Sequence, residues 1–278
     1  MLNKEYNQWL FDLFKEKPQN IKINETISFI KDKNKKDPVL DNDKRFLNKN
    51  EKQNIEGVSA NDWNNEYEWS KEDNRAHKRM KKVIKYIPKE GIHLDIGVGR
   101  GDGTFLVSKI KKTVGIEYGT LVAELARKKY NNIIQCNASS LPFKDNSFKS
   151  ITMLDSLEHI LSPENALKEC KRVLIDGGTL IISTPTKEDF KIKRIGIFIY
   201  KFFRIKTKIV KIIRVFKKEK KQLKKSPQPI EIPRPRKTVK KLISKYFFIE
   251  NHKYLNYWNK SKIVQLFSFS DLFICKKK

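Results

Sequence analysis

The chain has 278 residues, 38% of them hydrophobic, with 60 Lys or Arg against 32 Asp or Glu and a formal net charge of +28. That length holds one core domain plus an addition, and an excess of this size directs attention to anionic partners. Cys136, Cys170 and Cys275 form no pairing motif and suit a reducing compartment, while Lys4, Glu5 and Asp12 within the first residues argue against a signal peptide. No apolar run approaches the roughly 18 residues of a membrane span, so a cytoplasmic protein, at most peripheral on a membrane, is expected.

Residues 1–74 read as an N-terminal helix, a linker and a candidate lid. Residues 3–15 carry Trp9, Leu10, Leu13 and Phe14 at helical spacing, and residues 31–57 are rich in Asn, Lys and Asp with few large apolar side chains. Trp63, Tyr67 and Trp69 precede a basic helix expected over residues 74–86. They either pack that helix onto a sheet or shape a pocket beside it.

The most informative stretch is GIHLDIGVGRGDG, residues 91–103. An apolar strand carrying Asp95 runs into Gly97, Gly99, Gly101 and Gly103, and a helix follows from Thr104. Strand, glycine turn and helix make a nucleotide-cofactor cradle, because glycine lets backbone approach a ligand where a Cβ collides. The spacing excludes a dinucleotide fingerprint, whose third glycine falls here on Asp102 or Thr104.

Further pieces follow in order. Val114-Gly-Ile-Glu117-Tyr118 is a short strand ending in a carboxylate placed to accept both hydroxyls of a ribose. Residues 132–136 form another strand, after which Asn137 and Ala138 flank the position of a base. The link LPFKDNSF, residues 141–148, leads to a strand over 150–154 that opens into Asp155, Glu158 and His159. These three stand at i, i+3 and i+4, the spacing of one helical face, which would also suit a divalent cation, though no metal is expected. A helix closing at Leu174, a tight turn at Asp176-Gly177-Gly178 and a strand over 179–183 complete the run.

Residues 187–236 read as a basic insertion. From 187 to 225 there are sixteen Lys or Arg against three acids, and 234–241 adds five bases. Between 192 and 218, apolar residues at 195, 198, 199, 202, 205, 209, 212, 213 and 216 alternate with bases at 201, 204, 208, 211, 214 and 218. One helix would carry an Ile/Phe face and a Lys/Arg face, as a helix lying in the headgroup plane of an anionic bilayer does. A phosphate grip on nucleic acid and a lid packed on the core are the competing readings; the wide apolar face makes nucleic acid the weaker one. Pro227, Pro229, Pro233 and Pro235 then stiffen the return, and 237–278 supplies a helix, a strand, a short helix over 259–267 and a last antiparallel strand.

Residues 75–186 resemble the class I S-adenosylmethionine (SAM)-dependent methyltransferases, in particular the small-molecule group that includes the ubiquinone-biosynthesis enzymes. The resemblance rests on the glycine turn, the acidic strand end, the LPF…SF link, Leu157-Glu158-His159 and RVLxxGGxLIISTP. It implies a doubly wound, mostly parallel seven-stranded α/β sheet with SAM as cofactor. Asp95 would orient the glycine turn, Gly97, Val98, Gly99 and Gly101 would pass along the methionine moiety, and Glu117 with Tyr118 would hold the ribose. Asn137, standing where Asp is common, would flank adenine with Ala138; Asp155 would complete the cofactor pocket. His159 would take a proton from a substrate hydroxyl, with Glu158 beside it. The expected reaction is methyl transfer, first of all to oxygen of a small-molecule or lipid-linked acceptor at a membrane surface. An RNA methyltransferase and a SAM-binding membrane scaffold without catalysis are the alternatives. No Asn/Asp-Pro-Pro-aromatic or Pro-Cys motif points to DNA base methylation.

Overall fold

The computed structural model describes residues 9–10, 12–15, 75–189, 232–255 and 270–278. The insertion face over 192–218, the aromatic cluster at 63–69, the linker over 31–57 and the expected helix over 259–267 lie outside the described residues. Seven strands form one sheet: β1 (His93–Ile96), β2 (Thr113–Glu117), β3 (Ile133–Gln135), β4 (Phe148–Leu154), β5 (Leu174–Thr184), β6 (Phe247–Leu255) and β7 (Ser270–Lys277). Their order is β3-β2-β1-β4-β5-β7-β6, and all neighbours are parallel except the two pairs made by β7. The helices are α1 (Arg75–Val83), α2 (Asp102–Ser108), α3 (Thr120–Arg127), α4 (Pro163–Val173) and α5 (Arg236–Tyr246).

Central parallel strands are covered on both faces, so they read as continuous apolar runs rather than alternating ones. Every residue of β1 and β2 is buried, including His93, Asp95 and Glu117. On one face Leu94, Ile96, Ile151 and Ile182 pack with Leu167 and Cys170 of α4 and Val239 and Ile243 of α5. On the other, Met80 and Val83 of α1 and Val107 of α2 pack with Leu154, Ile181, Leu255 and Leu272. Each side chain of this kind contributes about 1.5–3 kcal/mol on burial.

Two local readings are corrected. The Asp176-Gly177-Gly178 turn is an irregularity within one strand. The register jumps from Phe148↔Leu174 to Ser150↔Thr179, and Gly177, at φ +67°, carries the extra backbone out of the ladder. Of the helix expected over residues 3–15, residues 3–8 and 11 lie outside the described residues; Trp9 and Leu10 are helical, whereas 12–15 are not and dock on the 141–144 link. Lys15 donates its N–H to the Pro142 carbonyl (3.0 Å), Lys144 donates to Leu13 (2.7 Å), and the Phe14 ring lies 5.5 Å from Phe143. Leu10, Leu13 and Phe14 therefore belong to the core.

Candidate functional site

The carboxyl ends of β1, β2, β4 and β5 bring the chemistry-bearing residues together. Asp95 is 5% exposed and serves the scaffold under the glycine turn. It accepts hydrogen bonds from Thr104 of α2 (2.6 Å) and Thr152 of β4 (2.7 Å). Thr152 spends its hydroxyl proton on Asp95, so it accepts from His93 Nε2 at 2.9 Å; His93 Nδ1 then accepts from Ser150 at 2.9 Å. The network thus fixes the neutral Nε2–H tautomer, and burial, with the Lys111 charge, holds the imidazole down at about 3. Burial raises the Asp95 carboxyl, the two hydroxyl bonds opposing.

The glycine turn spends its own donors. Gly97 and Val98 both donate N–H to the Ile116 carbonyl (2.9 and 3.1 Å), Gly101 donates to Val98 (3.0 Å), and Gly99 donates to Glu117 Oε2 (2.9 Å). A phosphate cradle instead aims such N–H groups at its ligand. Gly97, at φ +74°, is obligatory for a second reason: a Cβ there would lie 2.3 Å from Ser156 Oγ. Gly101, at φ +79°, would press a Cβ to 3.2 Å from Ala126. Val98 turns its side chain into the core beside Ala123, Ala126 and Ile133.

Glu117 is the hub of this side. Its Oε1 accepts the N–H groups of Tyr118 (2.9 Å) and Gly119 (3.3 Å), and its Oε2 that of Gly99. Burial raises its pKa and the three N–H groups pull it back. A carboxylate offers about four lone-pair positions, so with three taken one position, on Oε2, remains for a hydroxyl donor. Asn137, following β3, folds its side-chain oxygen onto the Ser139 N–H (2.9 Å), and Ala138 beside it is buried.

Across the sheet, Asp155, Glu158 and His159 do not share a helical face. Residues 157–159 form a single 3-10 turn, and Asp155 precedes it at φ +49°. It is held there by Ser183, whose hydroxyl donates to Asp155 Oδ1 (2.6 Å), and by Arg79 of α1, which donates to Oδ2 (2.5 Å). Glu158, 2% exposed, accepts from Thr184 (2.9 Å), and burial reinforced by the Asp155 charge pushes its pKa well above the usual range. His159 remains partly exposed at 24%, its Nε2 3.9 Å from Glu158 Oε1. Among the described residues no three His, Cys, Asp or Glu side chains are grouped to hold a metal ion.

Three basic residues expected to face an anionic partner serve this site. The Ile232 N–H donates to the Glu158 carbonyl (2.9 Å), and Arg234 reaches the Leu157 and Ile160 carbonyls (both 3.3 Å), so the chain returning after residue 231 is stapled to the His159 turn. Arg236 bonds Asp271 of β7 and Asp189 (both 2.8 Å), with Thr186 and His252 joining the same carboxylates. Burial raises Asp189 to about 6, whereas Asp271, with Arg236, Asp189 and His252 all bonded to it, is lowered despite its burial. Lys187 completes the staple by donating its N–H to the Arg234 carbonyl (3.0 Å). Sequence reasoning missed these partners; the one available signal was Asp271, a charge heading the apolar strand LFIC.

Residues 94–182 match the family described as a methyltransferase domain. A demethylmenaquinone methyltransferase of Symbiobacterium thermophilum is 32% identical over 119 residues, 38% of this chain and 47% of that protein. A probable tRNA methyltransferase 9B of Bos taurus is 29% identical over 111 residues, 39% of this chain and 24% of that protein. The chain spans about half the length of the first curated relatives it matches, or less. In fold it is similar to the putative methyltransferase of Haloferax volcanii solved with the Trm112 methyltransferase activator, with a TM-score of 0.57 at 12% identity over 79% of this chain and 97% of that one. With its glycine turn folded onto a glutamate at the next strand end, and its sheet closed by one antiparallel strand, this core carries a methyltransferase domain over residues 94–182.

Proposed function

We propose that the protein methylates an oxygen of a small-molecule, lipid or lipid-linked acceptor presented at a membrane surface. The observation that carries the reading is the partly exposed His159, set on the turn after β4, next to the glycine turn that follows the neighbouring β1. Bound SAM supplies an electrophilic methyl group on a sulfonium. Glu117 would hold the ribose hydroxyls, Asn137 and Ala138 would flank adenine, and the backbone from Gly97 to Gly101 would lie along the methionine moiety. His159 would take the hydroxyl proton of the acceptor as the methyl group passes from the sulfonium to oxygen. The Glu158 carboxyl, bonded by Thr184, and the Arg234 staple fix the turn that carries the ring. Support for a small acceptor comes from the quinone-type relative; support for a membrane setting comes from the sequence pattern of residues 192–218.

The test is transfer of labelled methyl from SAM into membrane extracts. His159→Ala should lower the rate by about 100-fold or more while SAM affinity by calorimetry holds. Full activity in that variant removes His159 as the proton acceptor. The tRNA-methyltransferase relative favours a second reading, RNA as acceptor, which salt-sensitive binding of bulk RNA with label entering RNA would establish.

A further inference from the structure

The bases of α1 stand apart from the insertion. From Arg75 to Lys89 the chain has seven Lys or Arg and no Asp or Glu. Arg79 is committed to Asp155. Arg75, Lys81, Lys82, Lys85 and Lys89 are exposed, with Lys78 half-buried, because Met80, Val83 and Ile87 turn the opposite side of this segment into the core. Neighbouring elements extend the same layer. Lys253 of β6 donates to the Tyr86 hydroxyl at 3.0 Å, and Lys85 and Lys253 each stand 5.2 Å from the centroid of that ring. On α2, packed beside α1, Lys109 lies 4.5 Å from the centroid of Phe105.

Phe105 is 41% exposed, and Ile110, just past the end of α2, is 62% exposed. Cations around exposed aromatic and aliphatic side chains fit a bilayer interface, where ammonium groups meet headgroup phosphates and the apolar groups enter the acyl boundary. Nucleic acid would use the cations and leave Ile110 in water. The face also adjoins the site, since Arg79 leaves the same helix to bond Asp155 at the carboxyl end of β4.

We propose that the α1–α2 face, through Lys81, Lys85, Lys109 and Lys253 with Phe105 and Ile110, docks on an anionic lipid surface. This rests on the membrane setting proposed above but not on the insertion, and it gives the domain a second contact with the bilayer.

The test is co-sedimentation of the full chain with vesicles of phosphatidylcholine containing about a quarter phosphatidylglycerol, at about 0.05 and 0.15 M salt. The variant Lys81→Glu/Lys85→Glu/Lys109→Glu should partition at least about tenfold more weakly than the natural chain, with SAM affinity within about twofold. The variant Phe105→Ser/Ile110→Ser should lose, in particular, the binding that survives the higher salt. A parallel variant, Phe198→Ser/Phe202→Ser/Ile209→Ser, alters the insertion alone. If it abolishes binding while the α1–α2 variants bind like the natural chain, the α1–α2 face is excluded and the membrane setting stands. If the natural chain ignores vesicles and binds bulk RNA instead, both are overturned.

Discussion

Two buried glutamates stand at the carboxyl ends of the sheet, and their surroundings give them different work. Glu117 accepts three backbone N–H groups, from residues no more than 18 positions away. Glu158 accepts one threonine hydroxyl from 26 positions away, and the Asp155 charge beside it adds to the cost of ionisation. Burial raises both; three backbone N–H groups oppose it at Glu117, whereas at Glu158 the Thr184 hydroxyl, its own N–H and the Arg79 charge oppose it and the Asp155 charge adds to it. One is an anion holder, and the other a carboxyl pushed toward its neutral form. The same side chain at the same depth is assigned its role by what points at it.

Substitution of Glu117 should have the largest effect on binding. Glu117→Ala removes the acceptor proposed for the ribose and leaves three N–H groups without theirs, so SAM affinity should fall by about 100-fold or more. Glu117→Gln turns an amide donor toward backbone donors and should recover little. Calorimetry with SAM, with circular dichroism as a check on folding, reads both. Retained micromolar affinity in either variant would end the ribose assignment.

The second side depends on distant partners, and Arg236 is the test of that. It is the cation for Asp271, which is 0% exposed, and for Asp189, which is 3% exposed. Arg236→Ala leaves two buried carboxyl groups without it and should cost about 3–5 kcal/mol in urea unfolding. A loss under about 1 kcal/mol would mean that Thr186 and His252 suffice to hold the carboxylates.

These partners explain what was legible. The glycine turn, the carboxylate ending β2 and the apolar strands of the core were legible because their chemistry runs between residues within about twenty positions, or through strands whose period is local. Asp155 was misread because helical spacing assumes helical φ, while Ser183 and Arg79, 28 and 76 positions away, hold it at φ +49°. Arg234 and Arg236 looked like two more bases in a basic stretch, and nothing local marks the carbonyls and aspartates that absorb them. The N-terminal Leu10, Leu13 and Phe14 had the right residue types for burial, but their docking place, at the 141–144 link, is set over a hundred residues away.

The scaffold beneath Glu117 carries an acid sensitivity of its own. His93 has a folded-state pKa near 3 against an ordinary 6.5, so between these values the unfolded chain binds the extra proton. Its contribution is complete above 6.5 and is lost as pH falls toward 3, at about 1.4 kcal/mol per pH unit once below 6.5. By pH of about 4.5 the loss should be about 3 kcal/mol, and His93→Gln, which cannot take up the proton, should flatten that limb of the stability profile. An unchanged limb would place the acid sensitivity elsewhere.

The smallest expected effect separates the two glutamates most directly. Because the folded-state pKa of Glu158 is raised, the folded chain holds its proton more tightly than the unfolded one above the ordinary 4.5. The carboxyl therefore costs stability as pH rises through that window, the reverse of a stabilising ion pair. Glu158→Gln keeps an oxygen for the Thr184 hydroxyl and removes the charge, so it should be neutral to about 1 kcal/mol stabilising at pH of about 8, with the gain shrinking toward pH of about 4.5. Glu117→Gln, by contrast, should destabilise at both, since the donors around Glu117 require an acceptor whatever the pH. If Glu158→Gln instead destabilises at the higher pH and not at the lower, Glu158 is held as an anion. It would then serve to stabilise a protonated His159 across 3.9 Å rather than to fix the turn as a neutral acid.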